Sequence, residues 1–141
     1  MRLESCFASA EWGYVVEASL RNSLSEERFP ETGTTVFKLD TGFNGPVMVT
    51  GDIFELLHFS NIEVPEDLRP SYATLAGPIV MRSAPAEVEI GRRKVETDIL
   101  TPLTGAGRML VGFQVIRQFD IALLRDRACL IKVVKPRDTS R

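Results

Sequence analysis

The chain has 141 residues, of which 44% are hydrophobic, and its 17 basic and 19 acidic side chains leave a net charge of −2. A chain of this length can bury one hydrophobic core but is short for two ordinary domains, so we expect a single domain over residues 1–134 and a disordered tail over residues 135–141. Because charges of both signs are interspersed, we expect no nucleic-acid partner and no attraction to an anionic membrane.

The N-terminal segment and the cysteines bear on the cellular compartment. No stretch approaches the roughly 18 apolar residues that a membrane span needs, and residues 1–12 lack the uninterrupted apolar run of a secretion signal. We therefore expect a cytoplasmic protein. Cys6 and Cys129 show neither a CxxC nor a Cys/His spacing, which favours two reduced thiols over a disulfide framework or a zinc site. We expect no metal and no other cofactor.

The first two predicted elements are strands. In residues 14–20 the side chains alternate between two faces with a period of two, which is typical of a half-buried strand. After a polar stretch, residues 34–40 (TTVFKLD) predict a second strand with Phe37 and Leu39 on one face. We expect the two strands to pair as a hairpin with a long loop.

A short strand and a short helix are predicted next. Residues 46–49 (PVMV) have the composition of a strand. In residues 50–59 the hydrophobic period changes to that of a helix, with Thr50 as the candidate N-cap and three residues on one apolar face: Ile53, Leu56 and Leu57.

The second half of the chain predicts three hairpins, each with a turn signal between two extended runs: residues 71–84, 86–100 and 120–134. Residues 109–119 (MLVGFQVIRQF) contain a second predicted short helix, through Phe113, Ile116 and the nearby Phe119. Many short strands with one or two short helices indicate an all-β domain, built as a barrel or a sandwich.

Asp40 is the polar residue that fits its predicted strand least well, because Asp is depleted in strands and an unpaired buried charge is costly. Asp40 is followed by Thr41 and Gly42. In a tight turn, backbone N–H groups and the Thr hydroxyl can hold the carboxylate oxygens, and Gly allows another backbone to approach. The tripeptide alone also fits an ordinary turn after a strand.

Three motifs in order, spread over residues 14–131, resemble the retropepsin-like (clan AA) aspartic proteases. The first is Asp40-Thr41-Gly42 behind an apolar strand, and the second is a hairpin with a glycine turn in residues 71–81 (SYATLAGPIVM). The third is Leu110-Val111-Gly112, followed by a short helix. The form DTGFNG is similar to a subgroup of small prokaryotic relatives with Phe after the Gly.

The resemblance implies a closed barrel with one lobe per chain and a role for each matching residue. Catalysis would involve Asp40, with Thr41 bracing the two turns across a dimer axis and Gly42 leaving room for adjacent backbone. A flap hairpin, residues 72–81, would close over an extended peptide. The remaining implied positions are substrate-binding residues Asn44, Tyr72, Thr74, Leu75, Ala76 and Gly77, and structural residues Phe43, Leu110, Val111 and Gly112.

Peptide hydrolysis by carboxylates needs two of them, so that one activates a water while the other donates a proton to the scissile carbonyl oxygen. The Asp-Thr-Gly motif occurs once in the chain. We therefore expect a C2 homodimer in which two Asp40 side chains meet, acting as an aspartic endopeptidase on extended polypeptides. The alternative is a non-catalytic dimeric domain that keeps this fold to bind peptides.

The single histidine and the single tryptophan of the chain lie outside the three motifs. The sole histidine, His58, ends the first predicted helix, and a capping or surface position is favoured over catalysis. Trp12 either anchors the N-terminal segment or lies at the dimer interface.

Overall fold

The computed structural model describes residues 2–74 and 76–132, and it is mainly β. The strands are β1 Arg2–Ala8, β2 Val15–Asn22, β3 Arg28–Phe29, β4 Thr35–Asp40, β5 Val47–Met48, β6 Ser71–Thr74, β7 Gly77–Ile90, β8 Arg93–Pro102, β9 Leu110–Gly112, β10 Asp120–Leu123 and β11 Arg127–Lys132. The helices are α1 Gly51–Leu56 and α2 Phe113–Ile116, with 3₁₀ turns at Phe59–Asn61 and Glu66–Leu68. The all-β prediction is confirmed.

Six strands form a closed ring in the order β2-β4-β9-β5-β8-β7, because β7 pairs back onto β2. The pairs β4–β9 and β5–β8 are parallel, whereas the other pairs in the ring are antiparallel. The two ends of the long strand β7 have different partners. Its first residues pair with β6 in a hairpin, and its last residues close the ring against β2. All three hairpins predicted in the second half of the chain are present.

The main core combines side chains of the ring strands with side chains of the helical segments and of β1 and β11. Its fully buried aromatic side chains are Phe37, Phe54 and Phe59. The predicted apolar face of α1 is partly wrong: Phe54 and Leu57 are buried, whereas Leu56 is 57% exposed. In β2 both faces are buried, Val15 and Ser19 as well as Val16 and Leu20, because β1 and β11 also contact that strand.

A second sheet joins the two ends of the described chain in the order β1-β11-β10. Strand β1 was not predicted from the sequence pattern. Its pairing shifts register between Leu3 and Ser5, and of its side chains only Phe7 is buried, so a regular alternation is missing. The predicted tail over residues 135–141 lies outside the described residues.

Cys6 of β1 and Cys129 of β11 form a disulfide, which corrects the prediction of two reduced thiols. The two residues are direct partners in the antiparallel register, with a Cα–Cα distance of 4.1 Å. Sequence spacing could not indicate this pairing, because the sheet brings together strands that are 123 positions apart.

Loss of this disulfide is expected to lower the free energy of unfolding by about 2–5 kcal/mol, because the cross-link closes a long loop in the unfolded chain. Urea unfolding with and without a reductant measures the difference. The doubly substituted variant Cys6→Ser/Cys129→Ser is the control, since its midpoint should not respond to reductant. Identical wild-type midpoints in both conditions would contradict the prediction.

Arg82 connects strand β7 to α1 and to the segment that follows it. Its guanidinium donates to Glu63 at 3.0 and 2.8 Å and to Glu55 at 2.6 Å, and it stacks over the Phe54 ring at 4.6 Å. The hydrogen bonds from Arg82 lower the pKa of Glu63 below its ordinary value, although burial acts in the opposite direction.

This interaction predicts an acid-sensitive contribution to stability. A carboxylate with a lowered folded-state pKa stabilises the protein above its unfolded pKa, and the contribution is lost as the pH falls through the folded pKa. Glu63→Gln should therefore cost about 1–2 kcal/mol at neutral pH, and the cost should shrink in acid. Urea titrations at several pH values test this, with the exposed Glu66→Gln as control. A cost independent of pH would contradict the prediction.

Candidate active site

Asp40 is the last residue of β4 and lies directly opposite Gly112 in the parallel pair β4–β9. The Asp40 side chain is half-buried, while Thr41 and Gly42 are exposed. The strand therefore carries its carboxylate to the end of the ring, where solvent and other molecules can reach the turn.

The turn holds this carboxylate through its own backbone. The N–H of Gly42 donates to Oδ1 of Asp40 at 3.0 Å, and the N–H of Phe43 donates to the carbonyl oxygen of Asp40 at 3.2 Å. There is little room for a side chain at Gly42, because a Cβ there would lie 3.3 Å from Oδ1 of Asp40. One backbone N–H therefore holds the carboxylate as predicted, whereas among the described residues no hydrogen bond joins the Thr41 hydroxyl to it.

A second segment, from β9 into α2, is bonded to the loop that follows Asp40. The N–H of Gly112 donates to the Pro46 carbonyl at 2.7 Å, and the N–H of Phe113 donates to the Phe43 carbonyl at 2.8 Å. The N–H of Gln114 donates to the Gly45 carbonyl at 3.3 Å. The structure thus brings together the first and third motifs, which lie about 70 positions apart in the chain.

The two apolar residues before Gly112 pack in different directions. Val111 belongs to the main core, whereas Leu110 belongs to a second cluster of buried side chains with Phe43. Both are buried, as expected for structural residues beside the turn.

The predicted flap hairpin is formed by β6 and the start of β7, with Thr74 opposite Gly77. Thr74 braces this turn, because its hydroxyl donates to the Gly77 carbonyl at 2.7 Å and accepts from the Ala76 N–H at 3.2 Å. Gly77 adopts a φ of +99°, which favours glycine. Leu75, predicted to bind substrate, lies outside the described residues.

The base of the hairpin packs on Phe43, the residue after Asp-Thr-Gly. The rings of Phe43 and Tyr72 lie 5.4 Å apart and are tilted by 55°. Burial raises the pKa of the Tyr72 phenol, the Asp98 carboxylate raises it further, and the Gln114 side chain acts in the opposite direction. Tyr72 therefore lies close to both the Asp40 turn and α2.

Several buried residues of this region were not singled out from the sequence. The cluster around Phe43 contains Met48, Met81 and Leu100. Met81 continues the alternation of the hairpin strand and could have been found from that period, whereas Met48 and Leu100 reach the cluster only through the pairing of β5 with β8.

Other predicted residues lie apart from this cluster. Asn44 is exposed on the loop after Phe43. His58 is exposed, as predicted, and its Nδ1 contacts the Glu27 carboxylate at 2.8 Å. A cavity of about 330 Å³ is lined by His58, Glu27 and neighbouring residues and does not include Asp40.

In the described part of the chain no three His, Cys, Asp or Glu side chains are grouped so that they could hold a metal ion. None of the helices within residues 2–74 and 76–132 is long and apolar enough to cross a membrane. A scan against protein-family models finds no family that matches the chain, and a search of curated proteins finds no match either. The resemblance to the retropepsin-like proteases therefore stays a prediction from the sequence motifs.

Proposed function

We propose that the protein is an aspartic endopeptidase of the retropepsin-like type, which hydrolyses peptide bonds of extended polypeptides with two Asp40 carboxyls shared by a homodimer. The observation that carries the proposal is the Asp40-Thr41-Gly42 turn. It presents a carboxylate at the exit of a strand, holds one of its oxygens with a backbone N–H, and lies opposite Gly112 of a parallel neighbour.

The surrounding architecture supports the same proposal. The closed ring of six strands puts the Asp40 and Gly112 strands side by side, and a hairpin packs against the turn through Tyr72. An extended peptide that binds between such a hairpin and the turn could pair with backbone groups as an added strand.

The proposed dimer supplies the second carboxylate. Several exposed apolar side chains support such an interface. Trp12 is 58% exposed, and Leu123 and Leu124 are also exposed. Tyr14 ties these last residues to the Asp40 strand, because its hydroxyl donates to the Leu124 carbonyl at 2.7 Å and its own carbonyl accepts from the Leu39 N–H at 3.0 Å. The exposure of Trp12 favours the interface alternative over an anchor in the core.

The reaction follows from two carboxyls that share one proton. The ionised carboxylate takes a proton from a water, whose oxygen attacks the peptide carbonyl carbon, while the protonated carboxyl donates its proton to the carbonyl oxygen. The resulting tetrahedral diol collapses when the C–N bond breaks: the carboxyl that gained the water proton gives it to the leaving amine, while the other carboxylate takes a proton from one diol hydroxyl, which restores the singly protonated pair. Thr41 would brace the two turns across the axis.

The alternative, a non-catalytic peptide-binding domain, is favoured by one observation. Tyr72 of the hairpin packs on the buried Phe43 ring, so the base of the hairpin is held against the barrel and access to the turn is narrowed. An acidic pair retained without catalysis would, however, destabilise the dimer, because like charges brought together and desolvated repel each other.

The sequence and the disulfide favour different cellular compartments. The sequence favours the cytoplasm, whereas the Cys6–Cys129 disulfide is typical of an oxidising compartment. Trapping of free thiols in intact cells with a mass-tagged reagent distinguishes the two, since a cytoplasmic protein would be labelled at both cysteines.

Activity and association together test the function. We expect a dimer by sedimentation equilibrium and cleavage of an unfolded, carboxymethylated protein somewhere in the range from about pH 3 to 7, since the reaction needs one protonated and one ionised carboxyl. Specific activity should rise with protein concentration around the dimer dissociation constant, because a monomer holds half a site. Cleavage by a strict monomer, or a dimer without any cleavage, would contradict the proposal.

A further inference from the structure

We propose that Phe43 is a positioning residue that couples the flap hairpin to the Asp40 turn, so that movement of the hairpin and placement of the carboxylate are linked. The inference deepens the endopeptidase function proposed above and rests on it for its catalytic consequence. The coupling itself is a physical property of the chain and can be measured without any activity.

The Phe43 ring occupies a slot between two glycines. A Cβ placed on Gly45 would lie 2.5 Å from Cζ of Phe43, and a Cβ placed on Gly112 would lie 2.7 Å from its Cδ2. The ring is only 6% exposed. Any side chain at either glycine would collide with the ring. Glycine at positions 45 and 112 therefore leaves the space that a large aromatic side chain at position 43 fills.

The backbone of Phe43 links this ring to the carboxylate on one side and to α2 on the other. Its N–H donates to the Asp40 carbonyl, and its own carbonyl accepts from the Phe113 N–H. Since only Thr41 and Gly42 separate Phe43 from Asp40, a change in the seating of the ring must shift the turn that orients the carboxylate.

The other face of the ring meets both strands of the hairpin at its base. Tyr72 of β6 stacks on Phe43 at 5.4 Å, and its register partner Ile79 of β7 packs against the same cluster. Met81, two residues further along β7, is fully buried there. The hairpin is therefore anchored at its base by Tyr72, Ile79 and Met81.

Hydrogen exchange of Phe43→Leu tests the coupling, because this variant keeps an apolar side chain but loses the ring. Amides of residues 71–74, 76–77 and 79–81 should exchange at least about fivefold faster than in the wild type, as local opening becomes easier. Phe59→Leu is the matched control: it removes an aromatic pair of similar geometry, Phe54–Phe59 at 5.5 Å and 45°, from the main core. That control should leave hairpin exchange unchanged relative to the rest of the barrel.

A second perturbation approaches the contact from the hairpin. Tyr72→Leu should produce the same increase in hairpin exchange, whereas Tyr72→Phe should keep wild-type protection because it keeps the ring. The double variant Phe43→Leu/Tyr72→Leu should exchange little faster than either single variant. Loss of the Phe43 ring should also return the raised pKa of the Tyr72 phenol toward its ordinary value, as read from tyrosinate absorbance in a Tyr14→Phe background.

The coupling should also change the kinetic constants of peptide cleavage. With an active wild type, Phe43→Leu should lower kcat about ten- to a hundred-fold and change KM much less, since a misplaced carboxylate affects the transition state more than substrate binding. Unchanged hairpin exchange in both Phe43→Leu and Tyr72→Leu, or additive effects in the pair, would overturn the proposal. An inactive wild type would refute the endopeptidase function, while the exchange experiment would still decide the coupling.

Discussion

Asp40→Asn is expected to lower kcat for peptide cleavage by at least about a thousand-fold without unfolding the protein. An amide can neither take a proton from water nor pass one to the scissile carbonyl, and both halves of the proposed dyad are lost together because each subunit carries the same substitution. The Oδ1 of Asn can still accept the Gly42 N–H, so the turn should keep its shape.

The controls separate this loss from a general charge effect. Asp52→Asn removes an exposed carboxylate from the first turn of α1 and should keep wild-type turnover. Sedimentation should show that the Asp40→Asn dimer persists, or is tighter near neutral pH, because repulsion between two carboxylates is removed. Equal turnover by wild type and Asp40→Asn, or dissociation of the variant, would contradict the proposal.

Mixing the two proteins tests whether the dyad is truly shared. If wild type and Asp40→Asn exchange subunits freely at equal amounts, about a quarter of the dimers hold two Asp40 residues, by random pairing of a symmetric oligomer. Activity should then fall with the square of the wild-type fraction. A linear decrease would mean that each chain carries a complete site, and the shared-carboxylate mechanism would be wrong.

Gly112→Ala is expected to lower the free energy of unfolding by at least about 3 kcal/mol, a large part of the stability of a small domain. A Cβ at this position would lie 2.1 Å from the Gly45 carbonyl oxygen and 2.9 Å from the Gly45 carbonyl carbon. Both are backbone atoms of the loop bonded to β9, so they cannot move aside as a flexible side chain could. Urea unfolding and the fraction of soluble folded protein measure the effect.

Gly51→Ala provides the matched control. No atom lies within 4 Å of a Cβ at Gly51, and the residue begins helix α1. Alanine should therefore change stability by less than about 1 kcal/mol, toward a more stable helix. If Gly112→Ala were tolerated as well as Gly51→Ala, close packing of β9 against the loop after Asp40 would not be a requirement of the fold.

The strand pattern could be read from the sequence wherever one face of a strand is buried. Phe37 lies in the core as predicted while Val36 is exposed, because a period of two in the side chains maps directly onto the two faces of β4. The turn chemistry of Asp40 to Gly42 was also local, since its bond connects residues two positions apart. Local periodicity fails where both faces are covered, as at Ser19 of β2.

By itself, then, the amino-acid sequence determined the all-β class, the hairpins and the presence of a carboxylate in a glycine turn, since these depend on contacts between near neighbours. Only the tertiary structure decided that Cys6 faces Cys129, that Asp40 lies opposite Gly112, and that Phe43 is seated under Tyr72. Each of these pairings depends on how the strands close into a ring and a second sheet. That closure is set by packing of the whole chain, and no short stretch of residues encodes it.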